Sequence, residues 1–337
     1  IEDLIEEEEC VFTLSNAGYL KRTPASAYRA QKRGGKGVNA MTTREEDFVS
    51  TLFTCSTHDY ILFFTNTGKV HRKKGYQIPE AGRTAKGTNI VNLLPIEQGE
   101  KVTAMLHIRD FTDNEFLVFA TRFGTVKRLT LSSLHTARKA GIRALNLDEG
   151  DELIAVCRTD GEQDVILVTH NGMAIRFQEQ DVRCMGRDAV GVRGIRLKEE
   201  DYLVAGGVTS QGDSLLTITE NGFGKRTAIE EYTCQSRGGY GNKNYNITEK
   251  TGPVASAAIV EECDDALMIS DDGTIIRTAV SGINLYGRVT QGVNIMTVPE
   301  GVKVISLATT RENEEEEPPA AETPGPETDS TEESTTV

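Results

Sequence analysis

The chain has 337 residues, 38% of them hydrophobic, with 37 Lys and Arg against 51 Asp and Glu and a formal charge of -14. It contains no long apolar run or signal-like segment, which excludes a helical membrane span, and its six cysteines include no Cys-x-x-Cys pair, so neither a zinc site nor a small disulfide scaffold is expected and a reducing cytoplasm fits best. The charge is uneven: residues 1–9 carry six acids, residues 311–337 carry ten acids against Arg311, and residues 10–310 are left at +1, so a polyanionic partner is not excluded.

In chain order, Ile1 to Glu9 reads as an acidic linker from a preceding domain, and the chain as a piece of a longer protein. A repeat begins at Cys10. Its turn, Asn16-Ala17-Gly18, is followed four residues later by Arg22, beside Lys21, and then by Arg29 and the heptad Gln31-Lys32-Arg33-Gly34-Gly35-Lys36-Gly37. The second copy brings a strand over Phe48 to Cys55, an apolar run from Tyr60 to Thr65, the turn to Gly68, then His71, Arg72, Lys73 and Lys74, and finally Arg83 and Lys86 before Gly87. The third has strands over Val102 to Ile108 and Phe116 to Thr121, the turn to Gly124, Lys127 and Arg128, then Arg138 and Lys139 before Gly141. The fourth has strands over Leu153 to Arg158 and Val165 to Thr169, the turn to Gly172, Arg176, and then Arg183, Arg187 and Arg193 around Gly191. In the fifth, a strand over Leu203 to Val208 precedes the turn to Gly222, Lys225 and Arg226, and Gln235 to Gly241, containing Arg237, echoes the first heptad. The sixth has strands over Val254 to Val260 and Ala266 to Ser270, the turn to Gly273, Arg277, and Arg288 before Gly292. A last strand, Val302 to Thr309, precedes residues 311–337, whose poverty in apolar residues predicts a disordered acidic tail.

The turn glycines are separated by 50, 56, 48, 50 and 51 residues, a period that argues for one closed or stacked array over residues 10–310. The apolar, β-branched runs are strands, and a turn closed by glycine suits a type I turn with a G1 bulge, so each repeat is centred on a hairpin. The first hairpin lacks a preceding strand and the sixth is followed by a spare one; the count balances if the chain ends meet in a ring without exposed sheet edges. One arginine per repeat at the same point of the return strand would place a circle of positive charge on the rim, suited to a bent polyanion. A single surface arginine would more simply pair with a neighbouring acid; recurrence in one column favours function. No active site, metal ligand set or cofactor motif is found among the five histidines, and no phosphate-binding P-loop or nucleophile elbow occurs. A protein-binding propeller is the alternative, against which the absence of tryptophan counts.

The heptad Gln31 to Gly37, the six repeats, the acidic tail and the stretch Gly87-Thr-Asn-Ile-Val-Asn-Leu-Leu-Pro95 together resemble the C-terminal domain of the DNA gyrase A protein. The heptad departs from that family's Q-R-R-G-G-K-G box only at Lys32, which keeps the charge and loses a bidentate donor. The related C-terminal domain of topoisomerase IV has a degenerate box, so the nearly intact one favours gyrase. The resemblance implies an all-β, six-bladed β-pinwheel, a ring or shallow spiral of four-stranded blades, that wraps duplex DNA around its rim for a type II topoisomerase. Its partners would be double-stranded DNA, the rest of DNA gyrase A, and DNA gyrase B; the isolated domain would be monomeric, cytoplasmic and nucleoid-associated. The implied contacts are the box and the rim bases Lys21, Arg22, Arg72, Lys73, Lys74, Arg83, Lys86, Lys127, Arg128, Arg138, Lys139, Arg176, Arg187, Arg193, Lys225, Arg226, Arg237, Arg277 and Arg288. No tyrosine here is implied to be catalytic.

Overall fold

The computed structural model describes residues 1–29, 47, 49–82, 84–135, 138 and 140–311. Six antiparallel sheets follow one another around a ring. The fourth shows the plan: its hairpin strands Asp164–Thr169 and Met173–Gln178 pair with Ile166 opposite Arg176, Leu203–Val208 flanks the first of them, and the two-residue strand Asn242–Lys243 flanks the second. The turn chemistry follows the sequence expectation. The amide of Gly172 donates to the carbonyl of Thr169 at 3.2 Å and its φ is +87, a conformation that glycine adopts without steric cost.

The allocation of strands differs from the expected one. The strand after each hairpin, not the one before it, completes that hairpin's sheet: Val49–Ser56 pairs with Glu9–Ser15, and Val304–Arg311 pairs with Asp264–Ser270. No repeat therefore lacks this strand. The ring still closes, because these inner strands pack on one another in sequence around it, with Val304–Arg311 against Val49–Ser56. The outermost strand of a blade comes from the following repeat: Thr88–Asn89 joins blade 1, Ile142–Arg143 blade 2, Val192–Arg193 blade 3, Asn242–Lys243 blade 4 and Val293–Asn294 blade 5. The sixth sheet has three strands among the described residues.

The core lies between the sheets. Ile61 and Phe63 face blade 1, where they join Phe12 and Leu20, while Leu62 and Phe64 face blade 3 and join Leu117 and Phe119. Burial on both faces is why the first hairpin strand reads as a continuous apolar run and not as an alternating one.

Candidate nucleic-acid interface

Between each hairpin and its exchanged outer strand runs a strap that crosses to the preceding blade. In the fourth repeat it starts with a 3-10 turn, Glu179–Asp181, and ends at Gly191, where φ is +118 and an added Cβ would lie 2.4 Å from the carbonyl oxygen of Val126. Gly241 repeats this at φ +74, 2.2 Å from the oxygen of Ala174. The second recurrent glycine is thus the point at which strap backbone meets the neighbouring blade too closely for a side chain.

The strap also explains the recurrent arginine, and here the structure departs from the exposed circle of charge. Arg22 Nε donates to the carbonyl of Ile78 at 2.7 Å, Arg128 Nε to Val182 at 2.8 Å, and Arg226 Nε to Ile283 at 2.5 Å. Arg176 donates through Nη1 to Ile229 at 3.1 Å and through Nε to Asp164 at 2.8 Å. Each acceptor carbonyl lies in the next repeat's strap, and Arg226 is only 7% exposed. Arg72 is half-buried, its guanidinium 5.1 Å from the ring centroid of Tyr60. Arg277, 48% exposed and 2.6 Å from Asp265, is the most open of the six. The column is chiefly a set of latches between blades: a buried strap carbonyl needs a donor, and a guanidinium supplies one with its stem packed against the strand.

Lys21, Lys127 and Lys225 likewise do not stand on the rim. They are buried. Lys127 Nζ donates to the carbonyls of Ala144, Arg187 and Ala189 at 2.7–3.0 Å, Lys225 Nζ to those of Gly287, Arg288 and Thr290 at 2.7–3.0 Å, and Lys21 Nζ to those of Gly82 and Ala85. An ammonium has three donors, enough to gather the carbonyls of a turning strap. Burial pulls Lys127 down to about 8 and Lys225 to about 7. The equivalent strand position holds His71, Ile175 and Ile276 elsewhere in the ring.

Lys74 is held inward by another route, donating to Glu2 at 3.1 Å and to the carbonyl of His58 at 2.9 Å, and Lys73 is half-buried. Glu2 belongs to the acidic segment before the first strand. That segment is tied to the ring again through Glu7, which lies 2.7 Å from Arg109.

What the perimeter does expose is a second basic series, on the straps and outer strands. Lys86, Arg138 and Arg193 are exposed, and Arg187, Arg237 and Arg288 are half-exposed. Arg237 Nη1 donates to the carbonyl of Arg193 at 2.8 Å and Arg288 Nη1 to that of Lys243 at 2.8 Å, each tying one outer strand to the next strap. Exposed Arg143 and Lys243, absent from the sequence expectation, match Arg193 as the second residue of an outer strand. Their signal is a fixed offset of two residues after the second glycine.

The heptad Gln31 to Gly37, with Arg83 and Lys139, lies outside the described residues. Its echo in the fifth repeat is described. Gln235 N donates to the carbonyl of Arg176 and Gly238 N to that of Gly194, each at 2.8 Å, and Gly239 has open space where a Cβ would be. Tyr240 is exposed, with the Arg196 guanidinium 5.3 Å from its ring centroid. Backbone is thus bare beside cations on the perimeter, an arrangement open to a phosphate chain.

Comparison with known proteins agrees with this architecture. The model of the DNA gyrase C-terminal domain, beta-propeller, matches residues 11–56, 59–109, 115–158, 163–210, 213–261 and 264–311. The DNA gyrase A protein of Halalkalibacterium halodurans is 58% identical over 307 residues, and that of Clostridium acetobutylicum is 47% identical over 317. These matches take in 91% and 94% of this chain but 37% and 38% of the relatives, so the chain spans less than two-fifths of their length. Among solved structures, the C-terminal domain of DNA topoisomerase IV superposes with a TM-score of 0.79 and the DNA gyrase A C-terminal domain with 0.69, each at 27% identity. They cover 91% and 90% of this chain and 95% and 99% of their own.

Proposed function

Since the chain belongs to the DNA gyrase C-terminal β-propeller family, we propose that it binds duplex DNA around its perimeter without reading sequence and bends it into a chiral wrap. In that role it would serve a DNA gyrase A protein, with the remainder of that protein and with DNA gyrase B, in supercoiling DNA in the cytoplasm; strand cleavage and nucleotide use would belong to those other segments. Among the described residues, no helix is long and apolar enough to cross a membrane.

The observation that carries the proposal is the second basic series: cations recur on successive straps and outer strands, at Arg143, Arg193 and Lys243 and at Arg187, Arg237 and Arg288. Bending some 40 base pairs through a half turn costs about 10 kcal/mol by worm-like-chain elasticity, which many phosphate contacts, on the order of 6 to 10, would offset. The perimeter residues and the Gln31 to Gly37 box together would supply that number. The topoisomerase IV reading draws on the higher TM-score of that neighbour, but curated relatives at 45–58% identity bear the gyrase name.

The test is DNA affinity at several salt concentrations. An affinity that drops about a thousandfold or more between 50 and 200 mM salt supports six or more phosphate contacts. A flat salt dependence sinks the perimeter reading and promotes the protein-binding propeller.

A further inference from the structure

We propose that Cys55, Asp59 and His107 form a divalent transition-metal site that rivets blade 1 to blade 2. Their donor atoms all lie within 4.8 Å of one another. Cys55 is the last residue but one of the inner strand of blade 1, Val49–Ser56; Asp59 sits in the turn that leads to the next hairpin; His107 is on the inner strand of blade 2, Val102–Ile108. Cys55 and Asp59 are buried and His107 is half-buried, so the three converge in a largely dry seam.

Their surroundings hold the donors in place. The Phe53 ring lies 4.7 Å from that of His107. The Asp59 carboxylate accepts from Ser56 N at 3.1 Å through one oxygen and from Arg109 Nη1 at 3.0 Å through the other, the kind of outer contact that orients a metal-binding carboxylate. A thiolate, an imidazole and a carboxylate suit zinc or cobalt and do not suit magnesium or calcium. With bonds of about 2.0 to 2.3 Å, donors around a tetrahedral ion stand roughly 3.3 to 3.8 Å apart, so binding needs a side-chain closure of about 1 Å. Cys55 gives up its thiol proton to solvent as the sulfur–metal bond forms, and the thiolate and carboxylate then balance the dication. Sequence spacing holds no sign of this, because the ring, and not a short motif, brings positions 55, 59 and 107 together.

The experiment is a cobalt(II) titration of the 337-residue chain. One equivalent should produce a thiolate-to-cobalt charge-transfer band that zinc abolishes by displacement, and zinc should raise Tm. Cys55→Ser should remove both effects, His107→Gln should weaken binding at least tenfold, and Cys184→Ser and Cys234→Ser should change neither. Circular dichroism establishes that each variant is folded. Absence of the band in folded wild type, its survival in Cys55→Ser, or its loss in Cys184→Ser or Cys234→Ser overturns the assignment.

Discussion

Lys225 Nζ sits 2.7 Å from the carbonyl oxygen of Arg288, 63 residues further along the chain. The basic residue that sequence places on the rim is instead inside it, and its partner is the backbone of the strap that carries a rim cation. Lys225→Met keeps the volume and strands the carbonyls of Gly287, Arg288 and Thr290. We expect a loss of about 3 kcal/mol, from the usual cost of buried acceptors left unpaired, measured by urea unfolding. A loss under about 0.5 kcal/mol, the range of ordinary surface changes, contradicts the staple.

The buried lysines also make stability depend on pH. Desolvation lowers Lys225 to about 7 and Lys127 to about 8, whereas in the unfolded chain both titrate near 10.4. Between those values the unfolded chain binds more protons, so this cost is fully present below about pH 7 and is relieved as pH rises towards 10. The urea midpoint should climb from pH 7 to pH 9.5, and less so in Lys225→Met. A midpoint that falls over this range equally in both proteins contradicts the assignment.

Latch and perimeter arginines should separate cleanly. Arg226→Ala removes a buried donor to Ile283 and should cost about 1 to 3 kcal/mol. Normalised to folded protein, it should leave the salt slope of DNA binding unchanged. A reduced slope in Arg226→Ala would return the first arginine column to the interface.

Arg193→Ala and Lys243→Ala should do the reverse, each lowering the salt slope by about 0.9 with Tm unchanged. Fluorescence anisotropy over a salt series reads this directly. Unchanged slopes in both variants would remove the outer strands from the contact surface.

Gly191→Ala should weaken the strand exchange, since its Cβ would lie 2.4 Å from the oxygen of Val126 at a φ of +118. A positive φ and a backbone clash together should cost about 2 kcal/mol or more. Faster hydrogen exchange at Val192, which pairs with Val126, and at Gly194, whose amide donates to the carbonyl of Gly124 at 2.8 Å, is the expected signature. Exchange at the wild-type rate contradicts the close approach.

How far sequence reaches follows from the range of each interaction. The hairpin turns are readable because Gly18, Gly68 and their equivalents act within four residues, and the six-blade count follows from their period. Arg128 and Lys127 are legible as residues but not as latches, because their acceptors, Val182 and Arg187, lie 54 and 60 residues away. The exchanged strand Ile142–Arg143 is two residues long, too short to carry a periodicity, and it hides Arg143 with it. Strand allocation escapes sequence for a related reason: Val49–Ser56 has an indistinct burial pattern, and order along the chain does not say which hairpin it joins.

The measurement that bears most directly on the central proposal is topoisomer counting, after nicked circular DNA is ligated with the protein bound. Wild type should shift the linking number, and a folded variant carrying Arg143→Ala, Arg193→Ala and Lys243→Ala should lose most of that shift. A shift of equal size in both proteins, or no DNA binding by wild type even at low salt, would contradict a wrap around this perimeter.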